Sequence, residues 1–337
     1  MPPDKNILRE RFQGQVGSKP LRSPLLMEVF PFGDHDQHVI LLTWRHALLD
    51  GTGINLLLEK MASGDASAGP PEPAPPKRHR MRDVFQRARP LMKRLHAMTS
   101  AGCLSAWAKG GAKGGAPDFH VIEFSQEQSE RAAVRLRTAC GDFLQMPFYA
   151  AVAARALRLL HERRGWHSPQ IHLQLPFQSR GRSRDLLFGN HTGTLPLFLD
   201  AGALGTLEEA VSHLLERYRE AMREEMPKAS EALMTLAAHL PVGWFIPAVR
   251  LSNCGQICSL FHSHTGSFLP GRGEFAGAPV QNVYNIPNVC SPPGLGIFFS
   301  DFAGRITLTL SWRRGSVSPE EVETVNQKIQ EDLTGGR

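Results

Sequence analysis

The feature that most constrains the fold is the continuous apolar run His38 to Trp44, His-Val-Ile-Leu-Leu-Thr-Trp. A run of strand-forming residues without polar alternation is typical of a β-strand covered on both faces. The turn residues Asp50 to Gly53 come next, and an apolar stripe at helical spacing follows: Ile54, Leu57, Leu58 and Met61. The sequence therefore predicts a buried strand, a tight loop and a helix, in that order.

Two stretches of Gly, Ala, Ser and Pro, at 63–76 and 106–117, offer almost nothing to bury and are typical of linkers. They suggest an N-terminal part at 1–62, a crossover region at 63–117 and a C-terminal part at 118–337.

The C-terminal part mixes strand and helix patterns. Strands are predicted at 119–124, 171–175, 193–199, 297–302 and 306–312, and helices at 129–139, 147–164, 207–225 and from Pro319, with Ser318 as the N-cap. Mixed elements in two parts predict an α/β or α+β fold.

Positive charge is concentrated in one segment. The chain carries a net charge of +6, yet the region 77–96 alone holds eight Lys and Arg residues against Asp83. From Lys77 to Met98 apolar residues recur at helical spacing, and Pro90 is expected to interrupt and kink that helix. Such a segment could lie on an anionic membrane, dock an acidic carrier protein, or remain a solvated linker helix. Nucleic acid is not expected as a partner, since no aromatic residues interleave with the basic ones.

No apolar stretch reaches the roughly 18 residues of a membrane-spanning helix, and no signal peptide precedes the first strand. We therefore expect a cytoplasmic protein, peripheral at a membrane if 77–98 binds one.

The five cysteines are scattered and odd in number, so neither a disulfide framework nor a metal site is expected, and Cys254 and Cys258 are interpreted as ordinary thiols. The apolar run Leu236 to Leu251 could line an acyl channel, although core packing is the commoner explanation.

His46 stands where the predicted buried strand ends. A histidine whose pKa is near neutral, presented from a strand end, suits a general base that deprotonates an attacking hydroxyl or amine. The alternative is a polar residue at a strand end, with Asp50 in an ordinary turn. No Gly-x-Ser-x-Gly elbow, phosphate-binding loop or dinucleotide fingerprint accompanies it.

The segment Arg45 to Gly51 resembles the H-H-x-x-x-D-G motif of the chloramphenicol-acetyltransferase-like superfamily. That superfamily includes condensation domains of peptide synthetases and wax ester synthases. The resemblance continues through Leu175 to Arg180, Phe188 to Leu197, Gly273 to Pro279 and Gly294 to Trp312, and spans roughly residues 20–335. Arg45 replaces the first histidine of the motif, and the motif begins closer to the first residue than in full-length relatives.

The resemblance implies two sandwich domains with mixed sheets, the N-terminal one shortened. It assigns His46 as the general base, Asp50 as a structural carboxylate and Gly51 as the residue that keeps the turn tight. Arg180 is the candidate partner of Asp50, or alternatively a solvated loop arginine. Candidate substrate-binding residues are Arg45, Asn190 and His264.

The implied activity is transfer of an acyl group from a coenzyme A or carrier-protein thioester to a hydroxyl or amine, with no tightly bound cofactor. Apolar substrates, as in the wax ester synthase branch, are the first expectation. The alternatives are an amide-forming condensation domain, or a degenerate, non-catalytic protein that binds acyl chains or a partner surface.

Overall fold

A computed structural model describes residues 3–16, 23–31, 37–64, 80–99, 102–107, 115–141, 144–180, 187–239, 241, 243–244 and 257–335. The helices within these ranges are α1 (Pro3–Val16), α2 (Gly51–Ser63), α3 (Met81–Thr99), α4 (Gln126–Cys140), α5 (Gln145–Arg163), α6 (Leu207–Arg223), α7 (Met226–Ala237) and α8 (Pro319–Thr334). The strands are β1 (Leu25–Pro31), β2 (His38–Trp44), β3 (Pro117–Glu123), β4 (Gln170–Gln178), β5 (Thr192–Asp200), β6 (Phe261–Ser267), β7 (Glu274–Phe275), β8 (Ala278–Pro279), β9 (Leu295–Phe302) and β10 (Arg305–Arg313).

The largest sheet has the order β3-β10-β9-β6, in which β6 runs parallel to β9 and the other neighbours are antiparallel. The antiparallel pair β4–β5 adjoins this sheet, because Leu173 of β4 forms an isolated parallel bridge with Leu260, just ahead of β6. The mixed α/β fold class is therefore confirmed, as are the strands predicted in the C-terminal part.

Helix α5 lies at the centre of the main core. Its residues 147–157 are all buried, and the alanines among them let α6, α8 and the strands approach its axis closely. The ends of the flanking helices are fixed by side chains. Ser125, Thr206 and Ser318 each accept a hydrogen bond from a main-chain N–H of the following turn, and each forms a capping box. The predicted N-cap Ser318 is thus confirmed.

The expectation that β2 is covered on both faces is wrong. The strand pairs only with β1 among the described residues, and exposure alternates along its first half. On one face the side chains of Met27, Val29 and Ile40 are 52%, 58% and 42% exposed. An unbroken apolar run does not show how many layers cover it, and here no layer of the described chain covers this part of the face.

Other differences concern element bounds. Helices α1 and α7 and strands β1 and β6 have no counterpart among the predicted elements. Helix α3 continues through Pro90, so the predicted interruption does not occur. The linker residues 65–79 and 108–114, and most of the apolar run from Leu236 to Leu251, lie outside the described residues. No helix in the described ranges is long and apolar enough to cross a membrane.

Candidate functional site

His46 lies in the turn 46–48 that joins β2 to α2. Main-chain hydrogen bonds hold this turn on both sides. The Arg45 N–H donates to Pro24 O at 3.0 Å, the Leu48 N–H donates to Arg45 O at 2.8 Å, and the Gly189 N–H donates to Leu48 O at 2.7 Å. The imidazole of His46 is exposed to solvent and hydrogen-bonds to no other described residue. The fold therefore fixes the backbone that carries this side chain and leaves the ring accessible.

Asp50 is the N-cap of α2, and its carboxylate is fully buried. Its Oδ1 accepts hydrogen bonds from Gly53 N (2.8 Å) and Arg180 Nη1 (2.9 Å), and its Oδ2 accepts one from His191 N (2.8 Å). Burial alone would raise the pKa of this carboxyl. The hydrogen bonds from Gly53, Arg180 and His191 outweigh burial and hold the pKa below its ordinary value. Asp50 is thus a charged, structural residue that joins three segments of the chain.

Arg180, the second residue after β4, reaches Asp50 with its side chain only 2% exposed. Its Nη1 also lies 3.4 Å from Gln178 Oε1, whereas its buried Nε and Nη2 find no acceptor among the described residues. A buried guanidinium of this kind depends on its carboxylate partner, because an unpaired buried charge is strongly unfavourable. The structure therefore brings Asp50 and Arg180 together as one buried ion pair.

Gly53 allows that pair to form. A Cβ atom at this position would lie 2.7 Å from Leu187 O and 3.2 Å from Arg180 Nη2. Gly51, by contrast, is the first residue of α2, and a Cβ there would meet only the Cγ2 atom of Thr265, at 3.3 Å. The close approach of main chain and guanidinium is thus at Gly53, and the role expected of Gly51, keeping the turn tight, stays a prediction.

Strand β6 contacts the start of α2 directly. The side chain of Asn55 donates from Nδ2 to Thr265 O at 3.3 Å, and the Thr265 hydroxyl donates to Phe299 O at 3.2 Å. The main sheet of the C-terminal part is therefore connected to the helix that follows the His46 turn. Thr265 was not among the predicted site residues, and its chemically ordinary side chain gives no sequence signal.

The three candidate substrate-binding residues differ in their surroundings. Arg45 is exposed and precedes His46, and Asn190 is exposed and caps its own turn by accepting from Thr192 N at 3.1 Å. His264 turns toward α5 and β9, where its ring stacks on Tyr149 at 4.7 Å and its Nε2 lies 3.7 Å from Asp301 Oδ2. These contacts of His264 are therefore with α5 and β9.

A further site residue that sequence reasoning missed is His191, which acts through its main-chain N–H. Only the spacing from the Gly189-Asn190 pair could have pointed to it, since a main-chain donor leaves no side-chain pattern. Within the described ranges, no group of three or more His, Cys, Asp or Glu side chains is arranged to hold a metal ion.

No protein-family model and no curated protein sequence matches the chain. Solved structures do match it in fold. The trichothecene 15-O-acetyltransferase TRI3 from Fusarium sporotrichioides superposes with a TM-score of 0.70 at 13% identity, over 98% of this chain and 74% of that one. The first condensation domain of the CDA synthetase gives a TM-score of 0.62 at 15% identity, over 99% and 72% of the two chains.

A third neighbour is the X-domain from teicoplanin biosynthesis, solved in complex with OxyB, with a TM-score of 0.56 at 14% identity over 98% and 74% of the two chains. At these identities the comparisons establish the fold alone, which this chain shares with an acetyltransferase, a condensation domain and an X-domain. This agrees with the fold expected from the resemblance at Arg45 to Gly51. The chain spans about three-quarters of the length of these neighbours.

Proposed function

We propose that this protein is an acyltransferase in which His46 is the general base. The observation that carries the proposal is the buried Asp50–Arg180 pair, which holds the start of α2 four residues after His46. A fixed backbone and an accessible imidazole are what a base needs in order to meet a bound acceptor.

In the proposed reaction, the neutral imidazole of His46 takes the proton from an acceptor hydroxyl or amine as the acceptor oxygen or nitrogen attacks the thioester carbonyl. The tetrahedral intermediate then expels the thiolate, which takes the proton from the imidazolium. An ester or amide and a free thiol are formed, and no covalent enzyme intermediate is required. Asp50 remains ionised throughout and acts as a positioning residue.

The donor is proposed to be a thioester of coenzyme A or of a carrier protein, and the acceptor an apolar alcohol, as in the wax ester synthase branch. Support for a hydroxyl acceptor comes from the fold match to TRI3, which is described as a 15-O-acetyltransferase. Amide formation from carrier-bound substrates is the enzymatic alternative, supported by the match to a condensation domain.

The test is release of free thiol from acyl-coenzyme A in the presence of a long-chain alcohol, followed for the full chain and for His46→Ala. His38→Ala is the matched control, since His38 is also exposed and opens the strand that ends beside His46. We expect His46→Ala to lower turnover by about 100-fold or more and His38→Ala to leave it unchanged. Equal turnover in both variants would remove His46 from the mechanism. Repeating the assay with carrier-bound thioester and an amine separates the two enzymatic alternatives.

A second candidate function is a non-catalytic protein that binds a partner surface. Two observations favour it: Arg45 replaces the first histidine of the motif, and one neighbour of the same fold is an X-domain in complex with OxyB. Absence of thiol release with every donor and acceptor pair, for a folded wild-type chain, would support this function over acyl transfer.

A further inference from the structure

We propose that α3 lies on an anionic lipid surface, with its exposed apolar side chains entering the interface and its arginines contacting lipid phosphates. Helix α3 has 19 residues, so it extends for roughly 28 Å. One side of it packs on α7, where Val84 and Ala88 meet Ala232 in a small core. The side of α3 next to this contact is exposed to solvent.

Two parallel stripes run along that side. Met81, Phe85 and Met92 are 46%, 52% and 40% exposed and are separated by four and seven residues, so they form one apolar stripe. Arg82, Arg89 and Lys93 are exposed and separated by seven and four residues, so they form a basic stripe next to the first. An apolar stripe bordered by cations along one helix is the arrangement of interfacial helices.

The side chains of the basic stripe are not neutralised by an ion pair within the described part of the chain. Among the described residues Arg82, Arg89 and Lys93 form no ion pair, whereas Arg94, on another side of α3, is paired with Glu224 at 2.9 Å. Asp83, the one acidic residue of α3, is about a quarter of a turn away from Arg82. An unneutralised basic stripe favours a partner that is itself anionic.

The two stripes meet in an open hollow of about 560 Å³ between α3 and the end of α7. It is lined by Met81, Arg82, Phe85, Gln86, Arg89 and Leu236. Apolar side chains bordered by arginines suit a single lipid molecule. Its acyl segment would cover Phe85 and Leu236, and its phosphate would bind Arg82 and Arg89. Separation of apolar and charged groups along the whole helix favours a lipid surface over a protein, which would need a packed central pocket.

The test is flotation of the full-length protein with vesicles of phosphatidylcholine alone, or of phosphatidylcholine with about one-quarter phosphatidylglycerol. We expect binding only to the anionic vesicles, and weaker binding as salt is raised. Phe85→Ser with Met92→Ser tests the apolar stripe, and Arg82→Gln with Arg89→Gln tests the basic stripe. Each double substitution is expected to weaken vesicle binding at least tenfold. Each arginine removed should account for about a fivefold loss.

The matched controls are on α4, which carries an apolar and a basic residue at its surface: Val134→Ser, at a position 53% exposed, and Arg137→Gln. These should bind vesicles like the wild-type chain, and circular dichroism should show the same melting for all variants because every changed side chain is exposed. Three outcomes would overturn the proposal: equal binding to both vesicle types, unchanged binding of the stripe variants, or binding of a purified acyl carrier protein through the same stripes without any vesicle binding. Vesicle binding is measured without turnover, so its failure is distinguishable from failure of the proposed acyl transfer.

Discussion

At the scale of single residues, the carboxylate of Asp50 determines the geometry around His46. It caps α2, neutralises the buried Arg180 and accepts the main-chain N–H of His191. The start of α2 therefore meets Arg180 and His191, which lie 130 and 141 positions after Asp50, at the two oxygen atoms of this carboxylate. Because the pKa of Asp50 is held below its ordinary value, the carboxylate stays charged at neutral pH and keeps these contacts.

We expect Asp50→Ala to lower the free energy of unfolding by about 3–5 kcal/mol, because it leaves the guanidinium of Arg180 buried without its partner. Asp332→Ala is the matched control: Asp332 is also buried and accepts from Arg155 Nε at 2.8 Å, within the core of the C-terminal part. Urea unfolding should show a loss for both variants. If Asp50 positions His46, only Asp50→Ala should also lower thiol release per folded molecule; equal turnover in the two variants would contradict the positioning role.

At the scale of elements, the pair β1–β2 tests how far an apolar pattern determines burial. We expect Ile40→Thr to lower the free energy of unfolding by less than about 1 kcal/mol, because Ile40 is 42% exposed. Ile171→Thr in β4 is the matched substitution at a fully buried position. This substitution should lower the free energy of unfolding by about 2–4 kcal/mol. Thermal or urea unfolding measures both. A loss at Ile40 as large as that at Ile171 would mean that β2 is covered on both faces, as its sequence predicts.

At the scale of the whole molecule, most elements of the C-terminal part could be predicted from sequence because they are periodic and the helix ends carry capping residues such as Ser318. Strand β6 and helix α7 were not predicted. The surroundings of β2 could not be predicted from sequence, because an apolar run does not show whether a neighbouring layer of structure covers it. The contact between Asp50 and Arg180 spans 130 positions, and the resemblance suggested it where spacing could not. The donation by His191 N uses the main chain, and the need for Gly53 arises only when Arg180 is in place.

The pH dependence of stability is also a property of the whole molecule, because three buried histidines from different elements contribute to it. Burial lowers the pKa of His161 to about 4, and those of His172 and His262 to about 3. Each imidazole is therefore neutral in the folded chain at pH 5, whereas unfolding exposes it to a pKa near 6.5. The unfolded chain binds more protons in this range, so the free energy of unfolding should fall as the pH is lowered from 7 to 5, by about 2 kcal/mol for each histidine.

Urea unfolding at a series of pH values measures this slope, and replacing one histidine identifies its share. His172→Phe keeps an aromatic ring beside Phe198, on which His172 stacks with a centroid separation of 4.3 Å, but removes the titrating group. We expect this variant to take up about one proton fewer on unfolding between pH 7 and 5, so its free energy of unfolding should depend less steeply on pH. This holds whatever its stability at neutral pH. The same slope in His172→Phe and wild type would show that the pKa of His172 does not change on unfolding, in conflict with its burial beside Phe198 of β5.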